Sequence, residues 1–266
     1  MFTIFRLACI TLAGVAITST SMAALTLSDG FNYTDNTALT ANGWTAHSGA
    51  TLNPVTAKNT SNLTYPGATP LTGAAGASFG HRFASSEDVN RNMGALTTTD
   101  GSTIYASFLF RVDDITAVIA ATEATVPFMV DTSVWPLRMY VKSDTIVSTY
   151  TLGIRTHRGG GTQPVEHLTT DLTTGTVYKV ILGLEFVPGT GNDIAKLWLN
   201  PPTGNAVPPA PNVQQSETTA DTIPTMFAIR QGSSQRMTMS IDDIRVSNTW
   251  SEVNPSPARV EEWSLF

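Results

Sequence analysis

A segment near position 180 alternates apolar and polar side chains, and this alternation constrains the fold more than any other feature of the chain. Every second residue is apolar, so a β-strand would place five large side chains on one side. These residues are Tyr178, Val180, Leu182, Leu184 and Phe186. The next residues, Pro-Gly-Thr-Gly-Asn-Asp, are typical of a turn because several accept a positive φ. The apolar pattern then resumes in Leu-Trp-Leu, which predicts a second strand.

Other segments carry the same period and predict further strands. They are Thr103–Val112, Val126–Val130, Leu137–Val141, Thr149–Thr156, Met226–Arg230 and Met237–Val246. The segment from Asp113 to Thr125 is compatible with a short helix, although its Ile, Val and Thr weaken that prediction. Turn residues recur at short intervals, which favours two packed sheets over alternating strands and helices. The predicted fold is all-β, a two-sheet antiparallel β-sandwich with at most one or two short helices.

The N-terminal residues 1–23 have the pattern of a secretory signal peptide. Arg6 precedes an apolar run, and small and polar residues then lead to a cleavage position near Ala23. The run is too short to cross a bilayer, so no transmembrane anchor is expected. Cys9, the single cysteine, lies inside this segment, so the mature protein would contain no disulfide. The expected organisation is a secreted protein with a β-sandwich domain over 24–253 and a C-terminal surface tail over 254–266.

The charge pattern argues against nucleic acid as a partner. The formal net charge is −6, and the Lys and Arg residues are scattered along the sequence. Phosphate binding requires a basic face, which this distribution does not predict. The acidic balance also argues against highly anionic polysaccharides as ligands.

Three short motifs carry a resemblance to a known superfamily. Ser240–Ser247 reads S-I-D-D-I-R-V-S and precedes Thr249-Trp250, which resembles the closing strand of laminin-G-like and concanavalin-A-like jelly rolls. The Leu197–Pro201 strand end and the Phe31–Asp35 segment with Gly43-Trp44 are similar to secreted bacterial modules of that superfamily. The resemblance implies a concanavalin-A-like jelly roll. It leaves function open, because such proteins range from glycan binding through adhesion to polysaccharide cleavage.

Glycan binding requires aromatic faces for sugar C–H surfaces together with donors for sugar hydroxyls. Trp135 and Tyr140 are the candidate faces. The candidate polar groups are Arg138, Arg155, His157 and Gln231. The alternative for Trp135 is that it covers the edge of the core, as buried Trp often does. We therefore expect an extracellular polysaccharide or a cell-surface glycan as the partner, with no catalysis required.

An enzymatic alternative uses the same residues. Arg138, Tyr140 and Lys142 share one face of a predicted strand, and Arg155 and His157 share one face of the next. A polysaccharide lyase of jelly-roll type needs Arg, Asn or Gln to neutralise a uronate carboxylate, and Tyr or His as the base. The strand patterns Arg-x-Glu-x-Arg and Gln-x-His of jelly-roll lyases are absent, however, and polar alternation is common on any solvent-facing sheet.

A glycoside hydrolase is a weaker alternative. It needs two facing carboxyl groups. Glu185 stands alone in its strand and Asp193 lies in a turn, so they do not predict such a pair. Tryptophans 198 and 250 are assigned to packing in the core or between the sheets.

No cofactor is required by these patterns, although a structural calcium ion is possible. The histidines at 81, 157 and 167 lack the spacing of a zinc site. The candidate calcium ligands are Asp113, Asp242 and Asp243, with Asp131 and Asn192-Asp193 as further oxygen donors. Hydrogen bonding of Asp242-Asp243 to Arg or loop amides is the alternative. The apolar C-terminal residues Trp263, Leu265 and Phe266 leave open a self-associating structural protein.

Overall fold

The computed structural model describes residues 25–80, 86–115, 123–131, 134–144, 148–156, 163–218, 221–231 and 237–257. Several predictions fall outside these residues and stay predictions. They are the signal peptide, His81, His157 and self-association through the last residues of the chain. Within the described residues, no helix is long and apolar enough to cross a membrane.

The described residues form sixteen β-strands and one short helix, and two 3-10 turns lie at Leu39–Ala41 and Asn59–Ser61. The first eight strands are β1 (Leu27–Asp29), β2 (Thr45–Ser48), β3 (Thr56–Lys58), β4 (Gly76–Gly80), β5 (Asp88–Asn92), β6 (Thr103–Asp114), β7 (Glu123–Asp131) and β8 (Val134–Ser143). The others are β9 (Thr149–Thr156), β10 (Glu166–His167), β11 (Leu172–Thr173), β12 (Tyr178–Glu185), β13 (Ile194–Leu199), β14 (Val213–Ser216), β15 (Met226–Ile229) and β16 (Thr238–Ser247). The helix α1 spans Trp250–Val253.

The strands make two antiparallel sheets of eight strands each. The first sheet has the order β14-β13-β12-β6-β16-β4-β3, and β1 pairs with β16. The second sheet has the order β10-β9-β8-β7-β15-β5-β2, and β11 pairs with β9. The predicted fold class, an antiparallel two-sheet β-sandwich of jelly-roll type with very little helix, is confirmed. The narrower likeness to laminin-G modules stays a prediction.

The core lies between the sheets and is built from the alternating residues of both. Val180, Leu182 and Leu184 of β12 are fully buried, and they belong to the same cluster as Met139 of β8 and Phe227 of β15. The hairpin predicted around position 180 is confirmed by the continuous β12–β13 pairing. Burial of each such side chain contributes about 1.5–3 kcal/mol.

The outer face of the first sheet is covered by other parts of the chain. Ile181 and Trp198 pack there against Trp250 and Val253 of α1. The rings of Trp198 and Trp250 lie 5.0 Å apart. Both tryptophans are buried, as packing residues should be, but they lie outside the sandwich rather than between its sheets. Asn254, the first residue of the predicted tail, is also fully buried.

The short helix predicted for 113–125 is wrong at both ends of the segment. β6 continues to Asp114, and β7 begins at Glu123. Residues 116–122 lie outside the described part of the chain. Thr125 lies within β7, as the strand preference of β-branched residues favours.

Candidate functional site

The outer face of the second sheet carries the residues predicted for carbohydrate recognition. In β8, Leu137, Met139 and Val141 point into the core, so Arg138 and Tyr140 point to the opposite face. In β9 the same alternation turns Arg155 outward, because its neighbour Ile154 belongs to the core. Arg138 and Arg155 are directly opposite each other in the β8–β9 pairing. Two arginines that were predicted as ligand-binding residues on separate strands therefore lie next to each other.

Trp135 lies on the same outer face. It packs against Val130 and Ala228, and Ala228 alternates along β15 with the core residues Phe227 and Ile229. The pairing of β7 with β8 shifts register close to Trp135, which explains why its direction does not follow from simple alternation. Trp135 is half-buried, so it both packs on this apolar pair and remains partly exposed.

Cationic and aromatic side chains alternate across this face. The arginine–aromatic row consists, in spatial order, of Arg230, Trp135, Arg138, Tyr140 and Arg155. The guanidinium carbon of Arg230 lies 5.3 Å from the Trp135 ring centroid. That of Arg138 lies 5.4 Å from Trp135 and 5.6 Å from Tyr140. That of Arg155 lies 5.4 Å from Tyr140. Each such contact contributes about 0.5–2 kcal/mol.

The row concentrates positive charge in a poorly solvated place. Arg138 is only 4% exposed, and burial lowers its pKa to about 10, with Arg155 and Arg230 adding repulsion. It therefore stays protonated at neutral pH. At one end of the row, Arg230 Nε lies 3.7 Å from Asp88 Oδ2. Like charges directly opposite on a sheet are unfavourable, so an anion placed against them would be stabilised.

His167 lies beside Tyr140 across a glycine. Gly153 of β9 is opposite Tyr140 on one side and opposite His167 of β10 on the other. The Nε2 atom of His167 is 3.2 Å from Glu123 Oε1. Burial lowers the pKa of His167, and nearby Lys142 lowers it further while Glu123 opposes the shift. His167 was not predicted for this face, because the two-residue strand β10 shows no periodicity in the sequence.

Replacing Gly153 with alanine should separate His167 from Tyr140. A Cβ at this position would lie 2.7 Å from His167 Cδ2 and 2.8 Å from the Glu166 oxygen. We expect a loss of about 1–3 kcal/mol in the free energy of unfolding, as for other overpacked sites. We also expect the pKa of His167 to rise toward 6.5 as β10 moves outward and the ring becomes solvated. Chemical denaturation and an NMR titration of the histidine measure the two effects.

Gly183→Ala is the matched control, because its Cβ would lie 2.8 Å from Trp198 Cζ3 in the first sheet. It should destabilise the protein without changing the His167 titration. An unchanged pKa in Gly153→Ala would contradict the described position of β10.

Gln231, predicted as a donor for ligand, is engaged within the protein. Its Oε1 accepts from the Gly80 backbone at 3.0 Å, and its Nε2 donates to the Asn53 carbonyl at 2.6 Å. Its own backbone nitrogen donates to Asp88 Oδ1 at 2.8 Å. Both polar groups of the Gln231 side chain therefore bond to the backbone of other segments and stabilise the fold.

The aspartates predicted for calcium do not converge in the structure. Asp242 Oδ2 accepts from the Leu63 backbone, and Asp243 Oδ1 accepts from the Leu71 backbone, each at 2.8 Å. Asp243 also pairs with Arg245 at 3.1 Å. Asp113 accepts from a serine hydroxyl and pairs with a neighbouring arginine. Among the described residues, these three do not form a group whose oxygens lie close enough to share an ion. The hydrogen-bonding alternative describes them better.

Glu185 and Asp193, the acidic residues considered for a glycoside hydrolase, have different partners in the structure. Glu185 Oε2 lies 2.5 Å from Lys196 Nζ, whereas Asp193 is bonded to the turn that follows β12. Nothing in this arrangement resembles the two facing carboxyl groups of a glycosidase.

The fold and this face define a jelly-roll sandwich with an arginine-rich outer surface, and comparison with known proteins adds structural likenesses. A carbohydrate esterase of the Shiga toxin-encoding bacteriophage phi24B is 12% identical, with 85% of this chain and 98% of that chain covered and a TM-score of 0.48. An alginate lyase from Corynebacterium sp. is 12% identical, with 77% and 92% covered and a TM-score of 0.46.

A CBM2 module from the evolved Dit of Lactobacillus casei BL23 phage J-1 is 11% identical, with 84% and 95% covered and a TM-score of 0.44. No family model and no curated protein matches the sequence. These likenesses do not assign a function, so the function has to be argued from the side chains of this chain.

Proposed function

We propose that the protein binds an acidic polysaccharide, with uronate carboxylates held on the arginine–aromatic row. One observation carries the proposal: three guanidinium groups alternate with two aromatic rings on one sheet face, and two of the arginines are directly opposite each other. A uronate residue offers a carboxylate for a guanidinium and an apolar C–H surface for a ring. The two kinds of side chain therefore match the two parts of one sugar.

The exposure of the row suits a ligand that lies along it. Arg138 and Tyr140 are buried and form the base of the row. Trp135, Arg155 and Arg230 are partly exposed and supply the contacts with ligand. A charge in a poorly solvated place acts more strongly than the same charge in water. Arg138 therefore adds to the attraction for a carboxylate even where the ligand contacts its neighbours.

Binding of polyuronates by the purified protein tests this proposal. We expect calorimetric titration with polygalacturonate or alginate oligomers to show binding that weakens as salt is added. The same oligomers with their carboxyl groups reduced to alcohols keep the sugar surface and lose the charge, so they should bind at least tenfold more weakly. Equal affinity for the charged and the reduced oligomers would contradict the proposal.

A second candidate function is polysaccharide lyase activity at the same row. The hydroxyl of Tyr140 is buried and has no hydrogen-bond partner among the described residues, and the Arg155 guanidinium lies over its ring. Burial lowers the pKa of the neighbouring His167, which favours its neutral form. In a lyase step, a base removes the proton α to the uronate carboxylate. A C=C bond then forms, the adjacent glycosidic C–O bond breaks, and the leaving oxygen takes up a proton.

Ultraviolet absorbance of unsaturated sugar ends distinguishes the two candidates. If the lyase function holds, wild-type protein generates this absorbance from a polyuronate, and Tyr140→Phe abolishes it while retaining binding. Binding of the polyuronate without any such absorbance would contradict the lyase function and support non-catalytic binding.

A further inference from the structure

Three carboxylates that do not belong to the arginine–aromatic row converge at one end of the β13–β14 hairpin. We call them the acidic cluster: Asp193, Glu217 and Asp221. The pairing of Ile194 with Ser216 brings the first two together, and the Glu217 nitrogen donates to the Asp193 carbonyl at 2.7 Å. One oxygen from each of the three carboxylates lies within 4.8 Å of the others.

Backbone amides hold two of these carboxylates in position. The Val187 nitrogen donates to Asp193 Oδ1 at 3.0 Å, and the Gly191 nitrogen donates to Asp221 Oδ1 at 2.7 Å. Both amides come from the turn between β12 and β13. The turn can approach the carboxylates this closely because Gly191 adopts a positive φ of 66°, which other residues rarely do. The cluster therefore sits on a defined turn.

A second observation concerns the buried carboxylate of Asp193. Asp193 is only 2% exposed, and its Oδ2 atom is shielded from solvent with no hydrogen-bond partner among the described residues. A buried carboxylate oxygen without a donor is unfavourable, and two further carboxylates beside it make its environment more negative.

We infer that the acidic cluster binds a calcium ion. All three side chains offer oxygen, the ligand that hard cations prefer, and Ca²⁺ takes six to eight oxygens at about 2.3–2.6 Å. Two oxygens that each lie about 2.4 Å from one ion are at most about 4.8 Å apart, so the three carboxylates are close enough together to share one ion. Asp221 is exposed, so water can complete the coordination shell. Mg²⁺ demands a stricter octahedron and fits this irregular group less well.

The ion would fix the edge where the two sheets meet. Gln215, on the β14 strand that leads to Glu217, accepts from the Thr156 backbone of β9 at 2.8 Å. Joining the β12–β13 turn to the end of β14 therefore also steadies the strand that carries Arg155. This part of the inference concerns stability, and it holds whether or not the row binds polyuronates.

Calcium titration of the chelator-treated full-length protein tests the inference. We expect one Ca²⁺ per chain by calorimetry and a rise of several degrees in Tm at millimolar Ca²⁺, because a ligand that binds only the folded state stabilises it. Mg²⁺ at the same concentration should give a smaller rise. Glu217→Gln and Asp221→Asn should each weaken Ca²⁺ binding at least tenfold. Asp171→Asn removes an exposed carboxylate elsewhere and should bind as wild type does.

The Asp221→Asn variant separates a loss of Ca²⁺ binding from a loss of folding. Asp221 is exposed, so Asp221→Asn should fold, and loss of repulsion should make it at least as stable as wild type when Ca²⁺ is absent. No binding of Ca²⁺ by the wild-type protein at millimolar concentration would overturn the inference. Equal Ca²⁺ affinity in wild type, Glu217→Gln and Asp221→Asn would overturn it as well, since the ion would then bind elsewhere.

Discussion

Arg155→Gln should lower the affinity for uronate oligomers by about 10- to 100-fold, since a hydrogen bond to a charged group contributes about 1.5–3 kcal/mol. Arg155 is the partly exposed end of the arginine–aromatic row, and its guanidinium also lies over the Tyr140 ring. Calorimetric titration with oligogalacturonates measures the change. Arg155→Lys should give an intermediate affinity, because lysine keeps the charge but cannot bind a carboxylate with two parallel hydrogen bonds.

Lys196→Gln is the matched control for this prediction. It removes the same charge from the first sheet, where Lys196 pairs with Glu185. Its affinity for the oligomers should stay within about twofold of wild type, as expected for a surface charge remote from the ligand. An equal loss in Lys196→Gln and Arg155→Gln would mean that only net charge matters, and the row would then not be the binding site.

Asp242→Asn should remove a large part of the pH dependence of stability between pH 4 and pH 8. Asp242 is 5% exposed, and burial raises its pKa to about 7 despite hydrogen bonds from the Leu63 and Asp243 backbone. Protonation of this carboxyl therefore favours the folded state. Its stabilising contribution is complete below the unfolded pKa of about 3.9 and is lost as the pH rises through about 7. At 1.36 kcal/mol per pKa unit, the loss is on the order of 4 kcal/mol at most.

Urea denaturation of wild type and Asp242→Asn at a series of pH values measures this effect. The difference between the two proteins is needed, because other groups titrate in the same range. Burial lowers the pKa of His167, which removes stability as the pH falls, and burial lowers the pKa of Lys179 to about 8. We expect the stability of the variant relative to wild type to increase with pH up to about 7. If the difference in the free energy of unfolding between the two proteins did not change with pH, the raised pKa of Asp242 would be contradicted.

The sandwich could be predicted because its core strands are long and regular. Every second residue from Tyr178 to Phe186 is apolar, and the partner strand β6 is twelve residues long with the same period. Short elements gave no such signal. β10 has two residues, so nothing in the sequence indicated that His167 would lie beside Tyr140.

The site was predictable only in part, because its contacts join distant segments. Arg138, Tyr140 and Arg155 follow from alternation in two neighbouring strands. Arg230, which directly follows β15, lies over Trp135 although the two are far apart in the sequence. The bulge that turns Trp135 outward depends on the β7–β8 pairing. A formal charge of −6 averages over the chain and hides a local group of arginines, which is why anionic ligands were disfavoured from composition. The acidic cluster could not be predicted either, because Asp193 and Glu217 meet only through the pairing of β13 with β14.

The covered outer side of the first sheet has a practical use for anyone who wants to attach the protein to a sensor or a resin. The loop between β13 and β14 packs over that side, where the Pro209 carbonyl accepts from Trp198, yet Val207 within it is 71% exposed. The sequence has a single cysteine, Cys9, which lies in the predicted signal peptide. In a protein that lacks residues 1–23, a thiol introduced by Val207→Cys would therefore offer one defined point of coupling, with the opposite side of the molecule oriented away from the support.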